Sequence, residues 1–379
     1  MRIGFYAPLK PPDHPAPSGD RRMARLFMQV LADLGHRVDI VSTLRSYNRK
    51  GDSGHESETV AAAAIEVERL SAAWQADPAT RPDLLFTYHV YHKAADYLCP
   101  ALKRRFNLPY VIAEPSVAPK REHGPWAAGY RQAALAIRAA DILLPITELD
   151  RVCLSAFAGA DKVQVFPPFL DHEPFAAAAD ARGRHRDAVK RLHGLEPEKP
   201  WLLAVGMMRA GDKIASFLRL AEMLKLGMDA EWQILLVGDG PERKTAEQAF
   251  AFAGNRARFT GQLDSQDLPG LYAACDLYVW PAINEAYGMA LLEAQAAGLP
   301  VLSVRTRGVP DVVRHGETGW LAMDDRPETL AAALRGILGD KELRRSMAAT
   351  SIRHVAAHLS MTAARQRLSA AFAPLGLPA

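Results

Sequence analysis

Cysteine is scarce in this chain: three in 379 residues, at Cys99, Cys153 and Cys275. Their wide spacing makes neither a disulfide framework nor a zinc pattern, and a reducing cytoplasm suits them. Long apolar runs are missing too. Nothing approaches the roughly 18 residues that a membrane-crossing helix needs, so any membrane contact is expected to be peripheral, at the inner face. The apolar N-terminal run that ends at Ala7-Pro8 is too short for a signal peptide and reads as a first strand. Charge of one sign is not in excess: the formal net charge is +3, and no strong field calls for nucleic acid as a partner. No Asp-x-Asp pair and no spacing of two histidines with a carboxylate occurs, so no metal site is expected. The Gly-x-Gly-x-x-Gly fingerprint is absent after the first strand, which counts against a dinucleotide-dependent dehydrogenase.

What is present suffices for a large core. Hydrophobic residues make up 49% and charged residues 23%, and at roughly 100–200 residues per domain the length suggests two domains. Strand and helix patterns alternate. Strands are expected at Arg2–Tyr6, Val38–Ser42, Leu84–Tyr88, Tyr110–Ala113, Ile142–Ile146 and Val163–Phe166, with a helix at Arg21–Leu34 closed by Gly35. Short apolar runs between helices suggest parallel strands buried on both faces. Lys50–Glu58 reads as a mobile polar loop, and the stretch from Pro167 to Pro200 as the crossing into a second domain. Alternation then restarts, with strands at Trp201–Val205, Trp232–Val237, Leu277–Trp280 and Pro300–Val304. Helices are expected near Ile214–Lys225, Pro241–Ala253, Met289–Ala297 and Pro327–Leu338, and one long helical stretch, Lys341–Phe372, is expected to pack back across both domains. The domains are placed at 1–175, completed by a C-terminal helix of about 355–379, and at 176–354. Ligands of such open sheets bind outside the carboxyl ends of the strands.

The segment Tyr278–Pro300, YVWPAINEAYGMALLEAQAAGLP, holds the densest chemistry. A strand ends near Trp280, a loop carries Asn284 and Glu285, and Gly288 opens a helix that bears Glu293. The free N–H groups at that helix start suit a diphosphate. Glu293 lies on the order of 10 Å from Glu285 at about 1.5 Å rise per residue plus the loop. That separation lets one carboxylate serve the sugar and the other the ribose of a nucleotide sugar. A second segment, Val205–Lys213, runs from a strand through Gly206 to two cations, Arg209 and Lys213. Fixed cations stabilise a departing diphosphate most where its charge develops, in the transition state. A third, Leu236–Glu242, offers Gly238 for close backbone approach.

These segments resemble the E-x7-E pattern of glycosyltransferase family 4, of the GT-B fold. Gly298-Leu299-Pro300-Val301, Gly308-Val309-Pro310-Asp311 and His315-Gly316-Glu317-Thr318-Gly319 resemble the same family. The resemblance implies two doubly wound, Rossmann-like α/β domains facing a central cleft. It also implies a retaining transfer from a UDP- or GDP-linked sugar, without metal or other cofactor. Glu285, Arg209 and Lys213 would carry the chemistry. Gly19, Gly206, Gly238, Leu263, Tyr287, Gly288, Met289 and Glu293 would bind the donor, with Phe259–Leu263 as the loop around the base. Met207 stands where the family usually has an arginine. The acceptor, whether glycan, lipid-linked or small molecule, would meet the N-terminal half. There Pro17-Ser18-Gly19-Asp20 stands in place of the family's Gly-Gly turn. His89 ends a strand, and Glu114 stands where many members have a histidine. Basic groups at Arg21, Arg22, Arg25, Lys103, Arg104, Arg105, Lys120 and Arg121 read either as solvated helix faces or as contacts to an anionic acceptor or membrane. A GT-B-type sugar-nucleotide epimerase and a non-catalytic nucleotide-sugar-binding protein are the alternative readings.

Overall fold

In the computed structural model, which describes residues 1–15 and 18–376, the alternation of strand and helix divides into two units. The first comprises Met1–Pro168 and Met361–Ala379, the second Phe169–Ser360. The first unit contains β1 (Arg2–Tyr6), α1 (Gly19–Asp33), β2 (Arg37–Ser42), α2 (Ser53–Ala76), β3 (Leu84–Val90), α3 (Cys99–Phe106), β4 (Tyr110–Pro115), α4 (Ala127–Ala139), β5 (Ile142–Leu144) and α5 (Glu148–Ala158). Its sheet is parallel throughout, in the order β2-β1-β3-β4-β5. The strands are near-continuous apolar runs because helices cover both faces. Leu85, Tyr110, Ile112 and Leu143 pack on one side with Leu98, Leu102 and Ile137.

The second unit opens with α6 (Glu173–Asp180) and α7 (Arg182–His193), where the sequence reads as a crossing. The arginines of α7 are used in packing: Arg182 and Arg186 both reach Asp276, and Arg186 also lies over the Trp201 ring, 3.8 Å from its centroid. A strongly charged helix is thus packed by its guanidinium groups. There follow β6 (Trp201–Val205), α8 (Asp212–Leu226), β7 (Gln233–Val237), α9 (Arg243–Ala249), β8 (Ala257–Gly261), α10 (Leu268–Ala274), β9 (Leu277–Val279), α11 (Met289–Ala296), β10 (Val301–Val304), α12 (Val309–Val312), β11 (Gly319–Ala322), α13 (Pro327–Gly339) and α14 (Lys341–His358). The sheet order is β11-β10-β9-β6-β7-β8, again parallel. The chain then returns to the first unit as α15 (Met361–Phe372). No helix of the described residues is long and apolar enough to cross a membrane.

Several expectations are corrected. Lys50–Glu58 is not a loop throughout: α2 begins at Ser53. Asp52 caps it by accepting the His55 N–H at 2.8 Å, and the Asn48 side chain accepts the N–H groups of Gly51 and Asp52. Polar residues that read as loop are here a helix start with its donors satisfied. Val163–Phe166 forms a single bridge to Leu143, not a strand. Pro241–Ala253 is only partly α-helical, since α9 ends at Ala249 and a 3-10 turn follows. The long helix Lys341–Phe372 is two helices, broken at Leu359-Ser360. At the break Leu359 O accepts the Leu170 N–H at 3.0 Å, and Leu170 forms a parallel bridge with Ser360. The helix before the break belongs to the second unit and the one after it to the first, so no single helix spans both. Strands β8 and β11 were not foreseen, and β8 takes up Phe259–Gly261 of the supposed base loop.

Candidate functional site

In an open parallel sheet, ligands bind beyond the strand ends where the strand order reverses. In the second unit this point lies between β6 and β9, the neighbours from which the chain winds outward in both directions. The segments leaving these two strands carry Gly206, Arg209 and Lys213 on one side and Glu285, Tyr287, Gly288 and Met289 on the other. Lys213, in the first turn of α8, places Nζ 2.5 Å from Glu285 Oε2. The Trp280 indole donates to the same oxygen at 3.3 Å, and Lys213 Nζ lies 5.5 Å from the Trp280 ring centroid. Both charged side chains are mostly covered, 27% and 17% exposed. Arg209 is exposed, and among the described residues its side chain has no hydrogen-bond or ion-pair partner.

The loop 281–286 is pinned rather than free. Ile283 N–H donates to Ser216 Oγ at 3.0 Å and Asn284 Nδ2 to Asp212 Oδ1 at 3.0 Å. Arg307 reaches Asn284 Oδ1 at 3.4 Å. Ala282, Asn284 and Arg307 all hold positive φ (55°, 50° and 43°). Such strain persists only where surrounding contacts over-determine it, and it concentrates at functional sites. Trp280 packs edge-on against Phe217, and a Cβ on Gly206 would lie 3.1 Å from Trp280. Trp280, Asp212 and Arg307 were not singled out from the sequence. Only the paired glycine and tryptophan could have hinted at the first; the others act through positive-φ backbone that sequence does not display.

Gly238 has another task. Its φ is +130° and an added Cβ would sit 1.9 Å from the Gly206 carbonyl oxygen. It lets the turn after β7 lie directly on the β6–α8 segment. Met208 seals the contact: its N–H donates to Asp239 O and its carbonyl accepts the Glu242 N–H, each at 2.9 Å. Gly288, at φ +93°, caps α11, whose start carries no side-chain cap. Tyr287 is buried, Met289 half-buried, and Leu263 half-buried just beyond β8. Glu293 is buried within α11, and Tyr272 Oη donates to its Oε2 at 3.0 Å.

The first unit has its own reversal point, between β1 and β3. Gly19 and Asp20 open α1 after β1, with Ser18 as its cap; Pro17 lies outside the described residues. His89 near the end of β3 sets Nδ1 3.0 Å from Asp20 Oδ1 and 3.6 Å from Glu114 Oε1, so the ring donates to an ionised Asp20. Tyr88 Oη donates to Glu114 Oε2 at 2.8 Å. The structure therefore brings His89 and Glu114 together and adds Asp20 and Tyr88. His89 and Glu114 both adopt positive φ, 63° and 54°. Burial alone would lower the His89 pKa, but Glu114 and Asp20 outweigh it and hold the ring above its ordinary value. Asp20 is raised by burial and lowered more by the His89 hydrogen bond and charge, ending below its ordinary value. Burial wins at Glu114, which stays above the usual carboxylate range despite His89 and Tyr88.

Paired parallel sheets of this kind define the GT-B fold, and solved structures agree across nearly the whole chain. Sucrose-phosphate synthase from Thermosynechococcus elongatus aligns with a TM-score of 0.73 at 20% identity, covering 99% of each chain. Anabaena HepE in complex with UDP aligns at 0.72 and 18% identity, covering 99% of this chain and all of that one. Residues 185–354 match the family described as "Glycosyl transferases group 1". Among curated relatives, a sulfoquinovosyl transferase of Arabidopsis thaliana is 34% identical over 214 residues, 55% of this chain and 39% of that protein. A D-inositol 3-phosphate glycosyltransferase of Corynebacterium diphtheriae is 29% identical over 57% of this chain and 51% of its own length. The chain thus spans about half or less of these relatives.

Proposed function

We propose that the chain is a retaining glycosyltransferase that moves a sugar from a UDP- or GDP-linked donor to an acceptor hydroxyl. The observation that carries this reading is the convergence of Lys213, Trp280 and Glu285 at the reversal point of the second unit, inside the family-matched segment. In this reading Lys213 exchanges Glu285 for the donor diphosphate, and Arg209 grips the phosphate oxygens in two-pronged fashion. Gly206, Gly238, Gly288 and Met289 bring backbone close to the nucleotide, with Leu263 near the base and Tyr287 backing the loop. Glu285 then faces the donor sugar. Glu293 turns from Tyr272 to share the ribose hydroxyls. The acceptor oxygen attacks the anomeric carbon on the face from which the diphosphate leaves. The carbon–oxygen bond to phosphate breaks, and the acceptor proton passes to the departing phosphate. The two cations stabilise the charge that develops there. Gly19 is assigned to the donor, and His89 and Glu114 to the acceptor or sugar. The UDP bound to HepE supports a nucleotide donor, and the names of the curated relatives support transfer rather than simple binding.

The test is a thermal-shift screen of UDP-, GDP- and ADP-sugars on the wild type and on the Arg209→Ala/Lys213→Ala variant. A ligand at about 100 times its Kd should stabilise by about 2.7 kcal/mol, a rise of several degrees in Tm. We expect one donor to do so in the wild type only. Release of nucleoside diphosphate that depends on added acceptor would then separate transfer from epimerisation. No response to any nucleotide or nucleotide sugar from folded protein would overturn the assignment.

A further inference from the structure

Within the second unit, cations gather at the end of the strands opposite to Glu285. A cavity of about 420 Å³ opens there beside Asp276 and Pro300, the residues that precede β9 and β10. Its walls hold four cations, Arg182, Lys341, Arg344 and Arg345, and one acid, Asp276. Three of the cations share one face of α14: positions 341, 344, 345 and 348 recur at i, i+3, i+4 and i+7, with the small Ala348 completing that wall. The acid is fully engaged. Asp276 Oδ1 accepts from Arg182 at 2.7 Å, and Oδ2 accepts from Arg186 at 3.0 Å and from the Trp201 N–H at 2.8 Å. Two guanidinium groups are anchored on neutral carbonyls: Arg182 donates to those of Ala273 and Cys275, and Arg344 to those of Ile337 and Leu338 at the end of α13. Carbonyls fix a guanidinium in place without cancelling its charge. Among the described residues, no acid pairs with Lys341 or Arg344. The acids nearest in sequence are used on α14 itself. Asp340 accepts the Leu343 N–H at 2.8 Å, and Glu342 meets Arg345 in an exposed pair of the kind worth little.

Charges of one sign around a recess focus their field into it. Burial raises the Cys275 pKa, so this thiol of the cavity wall adds no negative charge. Anchored guanidinium groups lose little freedom on binding and offer their remaining N–H groups to phosphate oxygens, while Lys341 adds a movable point charge. The volume falls within the range of about 300–1,000 Å³ typical of small-molecule sites. No aromatic ring lines it, so charge rather than stacking sets what it holds. We propose that this cavity is a second anion site of the chain, for a diphosphate group, separate from the proposed donor site. The proposal does not depend on the glycosyltransferase reading. Every residue it uses lies in the second unit, at the opposite end of the parallel strands from Arg209 and Lys213.

The full chain carrying Arg209→Ala/Lys213→Ala, which removes the cations of the proposed donor site, is titrated calorimetrically with inorganic pyrophosphate. The salt is held at about 0.15 M, where exposed charges more than about 8 Å apart are largely screened. We expect one saturable site per chain with a Kd below about 1 mM. Adding Lys341→Glu/Arg345→Glu should weaken it about tenfold or more. Both side chains are exposed, and negative charge suits the first turn of a helix, so this variant should fold. Lys190→Glu/Lys225→Glu makes the same charge change at exposed positions of the same unit outside the cavity, and should alter the affinity less than about twofold. A second measurement needs no variant: in the wild type, backbone amide shifts on adding pyrophosphate should include a cluster at 341–348 and Gly298. Absence of saturable binding overturns the proposal. So do amides of 341–348 that do not respond, affinity that Lys341→Glu/Arg345→Glu leaves intact, or equal losses in the two charge variants.

Discussion

At the scale of single residues, the electrostatics concentrate on His89. Its pKa is raised from 6.5 by Glu114 and Asp20 against the pull of burial, while that of Asp20 is lowered from 3.8. A raised histidine pKa contributes stability that is fully present below the unfolded value and is lost as pH rises through the folded one. A lowered carboxylate pKa contributes stability present above its unfolded value and lost as pH falls through the folded one. The charged pair therefore stabilises most from just above 3.8 to 6.5. Asp20→Asn should lower the His89 pKa, as read by NMR titration. Its stability deficit in melts at stepped pH should be largest near pH 5–6 and shrink at alkaline pH. Some deficit should persist, because Asp20 also lies in the first turn of α1, where negative charge is favoured. A deficit that does not vary with pH would remove the pair from the account. The sequence marks His89 and Glu114 as strand-end residues. It does not show that Asp20, 69 residues from His89, closes the group.

At the scale of elements, the glycine turns separate into two kinds. Gly238 and Gly19 look alike as candidate donor contacts in the sequence. At Gly238 a Cβ would meet the Gly206 carbonyl at 1.9 Å with φ at +130°, whereas at Gly19 nothing lies within 4 Å. Gly238→Ala should therefore break the seam between the turns after β6 and β7. It should cost about 1–3 kcal/mol of strain or more and lower the denaturation midpoint. Gly19→Ala, at the start of α1, should be neutral or stabilising by up to about 1 kcal/mol. Equal effects in urea denaturation would contradict this division. Helices α2, α6 and α7 were hidden for a related reason. The start of α2 and the packed face of α7 are polar, Asp52 to the His55 N–H and Arg182 and Arg186 to Asp276, so in the sequence they read as loop and as solvated charge.

At the scale of the whole molecule, the chain leaves the first unit at Pro168 and returns to it at Met361. The returning α15 buries Ala364, Leu368, Ala371 and Phe372, and Phe372 lies 6.4 Å from His36 between ring centroids. Burying one Leu or Phe is worth about 1.5–3 kcal/mol, so α15 supplies a large share of a stability of about 5–15 kcal/mol. A chain ending at Ser360 should therefore lose the first unit. Limited proteolysis should degrade residues 1–168 first and leave a resistant fragment of 169–360. A truncated chain that melts and resists protease like the full one would show α15 to be dispensable. The matched segment 185–354 lies wholly in the second unit, so nucleotide affinity of that fragment would bear directly on the proposed donor site.

The sequence by itself determined the α/β class, most strands, and the order of the segments that meet around Glu285. Strands buried on both faces must be short apolar runs, and glycine turns must follow them, so local composition carries that information. Only the tertiary structure decided what depends on residues far apart in the chain: the Lys213–Glu285 pair, the closing of Asp20 on His89, the edge-on packing of His92 and Trp126, and the break at Leu359-Ser360. Such contacts are set by strand order and by strained backbone at strand ends, and neither has a local signature in the amino-acid pattern.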